Sequence, residues 1–263
     1  MTAPAGMRPD PDEFWADLRR TTRARIGLGR TGDALPTTRV LEFRAAHAAA
    51  RDAVHAPLDV DALTVRVGAV GLGVPVHVPS RARDRAEYLR RPDLGRLPTH
   101  TSAVTGSDAD VGFVLADGLS PQALAEHGPD LLTALVAELS PRWTLAAPVI
   151  ATQARVAIGD HLGAVMGVRT VLVLIGERPG LSVAASLGIY LTHRPRPGRT
   201  DAERNCVSNI HPPAGLGYRQ AAAVVAGLVV GARALGRSGV ELKDGSRAAA
   251  IDANAGVDLP GLP

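Results

Sequence analysis

The residues that could do chemistry in this chain are few and scattered. Gly27-Leu28-Gly29-Arg30-Thr31-Gly32 spells the G-x-G-x-x-G of a dinucleotide-phosphate loop. That fingerprint needs a strand before it, a helix directly after it and an acidic residue about 20 positions on. The residues before it read as helix, and Asp33-Ala34-Leu35-Pro36 after it reads as a loop. A glycine-rich turn lying close to another chain is the better reading, and a stand-alone Rossmann-type nicotinamide-dependent oxidoreductase is the alternative function. His47, Asp52 and His55 share one predicted helix, but separations of five and three residues do not bring all three onto one face as metal ligands. The eight histidines are scattered and no G-x-S-x-G elbow occurs, so no hydrolase is implied. No catalytic residue and no metal ligand is assigned.

Cys206 is the one cysteine, which excludes an intrachain disulfide and fits a reducing, cytoplasmic setting. The net charge is +3, from 29 basic and 26 acidic residues. The densest basic stretch, Arg81 to Arg96, is interrupted by Asp84, Glu87 and Asp93. A nucleic-acid binder would pair a basic face with aromatic residues for stacking, and aromatics make up only 3% of this chain. Met1 to Asp12 is polar and proline-rich, without the apolar run of a secretory signal. The most apolar stretch, Gln220 to Ala232, lies between Arg219 and Arg233 and is too short to cross a bilayer core of roughly 30 Å. Neither nucleic acid nor membrane is expected as a partner.

The positioning elements divide the chain. Residues 1–12 read as a flexible lead-in, and a helix begins near Pro11-Asp12-Glu13. Thr37 or Thr38 caps a second helix reaching about His55. Residues 57–80 carry valines in strand-like alternation, but Pro75 and Pro79 restrict them to an irregular connector with an edge strand. Asp84 to Arg90 reads as a short helix or turn. From about residue 100 the pattern changes. Val111 to Ala116 is a continuous apolar run, as in a strand buried on both faces. Ser120 caps a helix over Pro121 to His127, and a second helix runs from about Asp130 to Leu139. Further strands are expected over Thr144–Ile150, Arg169–Ile175 and Leu187–Thr192, with helices over Ile158–Met166 and Gly217–Leu235. The alternation predicts an α/β fold: a Rossmann-like parallel sheet with helices on both faces over 101–243, a small mostly helical N-terminal domain over 13–100, and a disordered tail over 244–263. Ligands of such sheets bind outside the carboxyl ends of the strands.

Four segments carry a resemblance. They are Arg91-Pro92-Asp93-Leu94-Gly95-Arg96, Ala116-Asp117-Gly118-Leu119-Ser120, Gly176-Glu177-Arg178-Pro179-Gly180-Leu181 and Arg204-Asn205-Cys206-Val207-Ser208-Asn209-Ile210-His211. In that order on an α/β frame they resemble the small subunit of ethanolamine ammonia-lyase. The likeness extends to Ala24–Gly32 and the helix from Gly217, and covers most of residues 14–240. It implies a hetero-oligomer in which a large barrel-shaped subunit holds the substrate and the catalytic side chains. Adenosylcobalamin lies at the junction, and radical chemistry begun by its cobalt–carbon homolysis turns ethanolamine into acetaldehyde and ammonia.

The resemblance further implies three cofactor-binding positions: Val156, Glu177 and Cys206. Their chemistry is compatible with that role. Val156 can offer an apolar wall, Glu177 can accept hydrogen bonds from amides or hydroxyls, and Cys206 is small and soft. Without the resemblance, Val156 reads as core, Glu177 as a partner of Arg178, and Cys206 as a buried apolar residue. All three are expected in loops at the carboxyl ends of strands. Asp160 and His161 are adjacent, so the D-x-H-x-x-G spacing of a histidine that replaces the cofactor's own base is absent. The first matched helix begins by about residue 14, a shorter start than in relatives directed to a bacterial microcompartment, so encapsulation is not expected.

Overall fold

The computed structural model describes residues 11–245. Most of the expected lead-in and the tail from residue 246 lie outside the described residues. Seven α-helices run in chain order: α1 (Pro11–Thr21), α2 (Thr37–His55), α3 (Val60–Gly68), α4 (Arg85–Arg90), α5 (Pro121–Leu139), α6 (Ile158–Met166) and α7 (Tyr218–Leu235). Six strands form one sheet: β1 (Val76–Pro79), β2 (Val111–Ala116), β3 (Val149–Thr152), β4 (Thr170–Gly176), β5 (Leu187–His193) and β6 (Asn205–Ile210).

The strand order is β1-β3-β2-β4-β5-β6. The first four are mutually parallel, as the alternating pattern predicts. The expectation of a fully parallel sheet fails beyond β4, because β5 runs antiparallel to β4 and β6 antiparallel to β5. The sheet is therefore mixed. The physical reason is connection length: the segment between Gly176 and Leu187 contains no helix, and a parallel return needs a crossover. Every residue of β2 and β4 is buried. Leu124, Leu131 and Leu135 of α5, together with Val225 and Val229 of α7, pack on one face with Phe113 and Leu115. Ile158, Leu162 and Met166 of α6 pack on the other with Val114 and Val173. The chain leaves β2 through α5 to β3 and returns through α6 to β4 on the far side of β2. Right-handed crossovers taken in opposite directions put the two helices on opposite faces.

The N-terminal stretch behaves differently. Between residues 13 and 55 only Ala53 is buried. Within 57–80 the valine alternation misleads, because Val60–Gly68 is helical. Asp59 caps that helix by accepting from the Ala62 amide at 2.9 Å, and Leu63 and Val67, four apart, enter the main core. β1 follows as an edge strand paired with β3, so part of the 13–100 stretch belongs to the sheet.

Two further differences have local causes. The helices expected over 121–127 and 130–139 are one helix containing Pro129. Proline lacks the amide that would bond the carbonyl of Ala125, and the Arg66 guanidinium donates to that oxygen instead. The strand expected over Thr144–Ile150 starts at Val149, after Pro148, and Leu145 makes only an isolated bridge to Val111.

One ion pair ties α6 to the start of β6. Arg204 Nη1 and Nη2 donate to Asp160 Oδ1 and Oδ2 at 2.6 and 2.7 Å, and both side chains are 2% exposed. A buried pair is weak evidence of net stabilisation, but breaking it strands a charge. Arg204→Met should therefore lower the stability of the chain by about 3–5 kcal/mol in urea unfolding. Arg204→Met/Asp160→Leu should recover most of that loss. Equal losses in the single and double variants would show that the stranded charge is not the cause.

Candidate functional site at the carboxyl ends of the parallel strands

β2 ends at Ala116 and hands over to Asp117, which is 2% exposed. Its Oδ2 accepts from the Gln153 amide at 2.8 Å and its Oδ1 from the Ala154 amide at 2.9 Å. One carboxylate thus holds the loop that follows β3. Arg85 of α4 lies 3.4 Å from Asp117 Oδ2 and donates to the Gly118 carbonyl at 2.9 Å. Burial dominates and pushes Asp117 up to about 6, against the lowering effects of its amide donors and Arg85.

The turn after Asp117 crosses the end of β4 with no room for side chains. Gly118 has φ +56°, and a Cβ there would stand 2.2 Å from the Gly176 carbonyl oxygen. A Cβ on Gly176 would stand 2.1 Å from the Ser120 carbonyl oxygen. The Leu119 amide donates to the Gly176 carbonyl at 2.9 Å. These two glycines bring the β2 and β4 loops into contact.

The loop bearing Val156 is pinned from a third side. Tyr88 is fully buried and donates to the Ala154 carbonyl at 3.0 Å. The guanidinium carbons of Arg85 and Arg155 lie over its ring, 4.8 and 4.5 Å from the centroid. Burial, with Asp117 nearby, raises its phenol. The Arg155 amide donates to the Gly95 carbonyl at 2.8 Å, which gives the Arg91–Arg96 segment its place. Nε of Arg155 is buried and has no hydrogen-bond partner among the described residues.

An open cleft of about 420 Å³ lies among these loops, lined in part by Tyr88, Arg155, Val156, Glu177, Arg178 and Tyr190. Val156 and Glu177 therefore meet, in the loops after β3 and β4 where they were expected. Glu177 is half-buried. Its Oε2 accepts from Ser186 Oγ at 2.6 Å and from the Asn209 amide at 3.3 Å. Neither bond uses Oε1.

Cys206 sits elsewhere than expected. It lies on β6, an edge strand, and not in a loop at a strand's carboxyl end. It does not line the 420 Å³ cleft and borders a neighbouring depression with Leu216 and Gln220. It pairs across the strands with Tyr190, which does line the cleft. The residue is exposed, yet its sulfur is crowded: desolvation raises the thiol first, and Glu177 adds to the rise. Burial, then Cys206, pushes the Tyr190 phenol up to about 12. The Tyr190 hydroxyl opposes the thiol's rise, and the net effect makes the thiol less ionised, and so less nucleophilic, than a free cysteine.

Asp117, Tyr88 and Tyr190 were missed as site residues. A usable signal existed: the chain has three tyrosines, and two of them border one cleft. An acidic residue directly after a wholly buried strand was a second signal.

The remaining candidates separate from this cleft. Gly27 has φ +55°, and a Cβ there would run into the Trp15 ring at 2.2 Å, so the glycine allows a helix to fold back over its own loop. That loop is preceded by α1 and not by a strand, which removes the dinucleotide reading. His161 is half-buried and lowered mainly by burial, and its neighbour Asp160 is engaged by Arg204. Among the described residues no group of three His, Cys, Asp or Glu is placed to hold a metal, and no helix is long and apolar enough to cross a membrane.

The family model described as "Ethanolamine ammonia-lyase light chain (EutC)" matches residues 12–243. The chain belongs to that family. The light-chain match takes in every described strand and reaches past α7. The ethanolamine ammonia-lyase small subunit of Rhodococcus erythropolis is 68% identical over 239 residues, covering 91% of this chain and 93% of the relative. The small subunit of Rhodopseudomonas palustris (strain BisA53) is 50% identical, over 93% and 95% of the two chains. That of Pseudomonas fluorescens (strain Pf0-1) is 44% identical, over 95% and 94%. The family is one of lyase subunits, and a light chain implies a hetero-oligomer with a larger companion.

Asp117 offers a direct check on this light-chain site. Its folded value of about 6 lies above the ordinary 3.8, so the folded state binds the proton more tightly than the unfolded one. The resulting stability is fully present below the unfolded value and is lost as pH rises through the folded one. Relative to Asp117→Asn, the wild type should lose roughly 2 kcal/mol between pH 4 and pH 7 in urea unfolding. Parallel pH profiles for the two proteins would contradict the assigned titration.

Proposed function

We propose that this chain is the small subunit of an adenosylcobalamin-dependent ethanolamine ammonia-lyase, and that its cleft forms one wall of the cofactor site. The reaction turns ethanolamine into acetaldehyde and ammonia, with the catalytic side chains on a large barrel-shaped subunit. The single observation that carries the reading is the meeting of Val156 and Glu177 in one open cleft at the carboxyl ends of the parallel strands. The fit is that of a half-site. A cleft of about 420 Å³ cannot enclose a corrin, but it can cover one side of it. Its lining mixes apolar and aromatic groups with hydrogen-bonding ones, and the buried Arg155 Nε is a donor awaiting an acceptor.

When bound, the cofactor supplies radical chemistry through homolysis of its cobalt–carbon bond. The work of this chain is to bind, orient and shield. Val156 contributes an apolar contact. Glu177 is oriented by Ser186 and Asn209 through Oε2, which leaves Oε1 to accept from an amide or a hydroxyl. Cys206 acts as a neutral thiol beside Tyr190, extending the same surface towards the β6 edge. His161 has no part in it, and the cofactor keeps its own base.

The test is co-expression of the full chain with its large subunit, followed by adenosylcobalamin titration and an ammonia-release assay with ethanolamine. Glu177→Gln should weaken cofactor affinity about tenfold, equivalent to roughly 1.4 kcal/mol. Unchanged affinity in both Glu177→Gln and Cys206→Ser would reduce the chain to a structural partner. A tight nicotinamide complex formed without cobalamin would revive the oxidoreductase alternative. His161→Ala should bind the cofactor as the wild type does, and a large loss there would refute the statement about the base.

A further inference from the structure

At the opposite end of the sheet lies a second, smaller cleft of about 270 Å³, lined by Arg169, His193, Arg194 and Arg233. Thr170 and His193 face each other across β4 and β5, so the antiparallel turn of β5 brings these residues together. β4 is seven residues long, which separates this cleft from Glu177 by about 20 Å at about 3.3 Å per residue. It is independent of the cofactor reading.

Its chemistry is one-sided. Arginine carries donors and no acceptor. His193 is 5% exposed, and its Nδ1 lies 3.0 Å from Thr170 Oγ1. Nε2 is the ring nitrogen that this bond leaves for the cleft, and it carries the ring proton in the tautomer in which the Thr170 hydroxyl donates. The His193 amide donates to Ser238 Oγ at 2.9 Å, which fixes the backbone. Arg233 is held from two sides: Nη1 donates to Asp110 Oδ1 at 2.9 Å, and the guanidinium carbon lies 4.1 Å from the Trp143 ring centroid. Arg169 Nε stands 3.9 Å from the same Asp110 oxygen. Asp110 Oδ2 is already taken by the amide and hydroxyl of Thr144. Two of the three lining arginines thus share one carboxylate, and Arg194 has no ion pair with it. A fourth, Arg199, donates to the carbonyls of His193 and Arg194 and is itself paired with Glu203. Burial and these four arginines together hold His193 below its ordinary value.

Such a gathering carries uncompensated like-charge repulsion that an anion would relieve. Guanidinium groups arriving from three elements suit an anion with several oxygens better than a planar carboxylate, which one guanidinium can satisfy. We propose that this cleft binds a phosphate-class oxyanion, either inorganic phosphate or a small phosphomonoester.

The test uses the full chain assembled with its large subunit. Inorganic phosphate is titrated by calorimetry and thermal melting at constant ionic strength, with chloride as the balancing ion. Phosphate should raise the melting temperature saturably where chloride does not. Arg169→Gln/Arg194→Gln should weaken phosphate at least tenfold while adenosylcobalamin affinity and ammonia release stay at wild-type values. If the double variant fails to assemble, Arg169→Gln alone, a largely exposed position, should show the same direction of loss. Glycerol 3-phosphate binding more tightly than phosphate identifies the ester as the ligand class, and weaker binding identifies the free ion. Equal stabilisation by chloride, or wild-type phosphate affinity in the variants, overturns the proposal.

Discussion

The carboxylate of Asp117 is bonded to two amides of the loop after β3, while the residue itself directly follows β2. Everything in the larger cleft depends on that attachment. It sets where Ala154 stands, and Ala154 sets Arg155 and Val156. The same turn continues through Gly118 into contact with Gly176, which sets where Glu177 leaves β4. Three strand ends are thereby fixed relative to one another by one buried acid and two glycines. The arrangement has a cost. A carboxylate 2% exposed and shared with Arg85 at 3.4 Å is poorly compensated, which is why burial raises it. Replacing Asp117 by an apolar residue would remove that cost and would also release the Gln153 and Ala154 amides that define the loop.

The departure from a parallel sheet has a positive role. Because β5 runs back along β4, its residue Tyr190 reaches the carboxyl-end cleft, and its end, His193, stands beside Thr170. β6 then returns in the direction of β4 and carries Cys206 into register with Tyr190 and Asn209 within reach of Glu177. A parallel β5 would have needed a crossover helix over the face where these groups meet. The antiparallel hairpin leaves that face open. One topological change thus gives the carboxyl-end cleft its tyrosine and gives the far cleft its histidine.

Much of this was legible in the residues. The wholly apolar runs of β2 and β4 announce strands buried on both faces, and Ser120 followed by Pro121 marks the start of α5, where Ser120 Oγ accepts from the Ala123 amide at 3.2 Å. Val156 and Glu177 were named from the resemblance, and both lie in loops that follow parallel strands, Glu177 directly after the wholly apolar β4. Cys206 could not. β6 reads Asn-Cys-Val-Ser-Asn-Ile, its pairing with β5 is broken by a register shift, and Asn209 takes φ +63°. An edge strand with one open side has little hydrophobic period to read. α3 was hidden for the opposite reason: its valines favour strands by type, and only tertiary packing of Leu63 and Val67 decides for helix. Pro129 looked like a helix end because the group that substitutes for its missing amide, Arg66, lies 59 positions from the carbonyl it satisfies.

Two kinds of group are left uncompensated among the described residues. A buried guanidinium nitrogen without a partner costs about 1–3 kcal/mol, and Arg85 Nη2 and Arg155 Nε are two such groups, on the two arginines over the Tyr88 ring. The N-terminal helices show the same imbalance in apolar form. Phe14, Trp15, Leu35, Leu41 and Phe43 are exposed, although the described part of this segment buries only Ala53. The segment is nonetheless held in place, since Arg25 Nη2 donates to the Leu181 carbonyl at 3.0 Å and Ser182 Oγ to the Arg23 carbonyl at 3.3 Å. Those bonds attach the exposed apolar helices to the loop that begins at Glu177. The loop that begins at Glu177 thus both lines the open cleft and anchors the segment that carries the exposed apolar side chains.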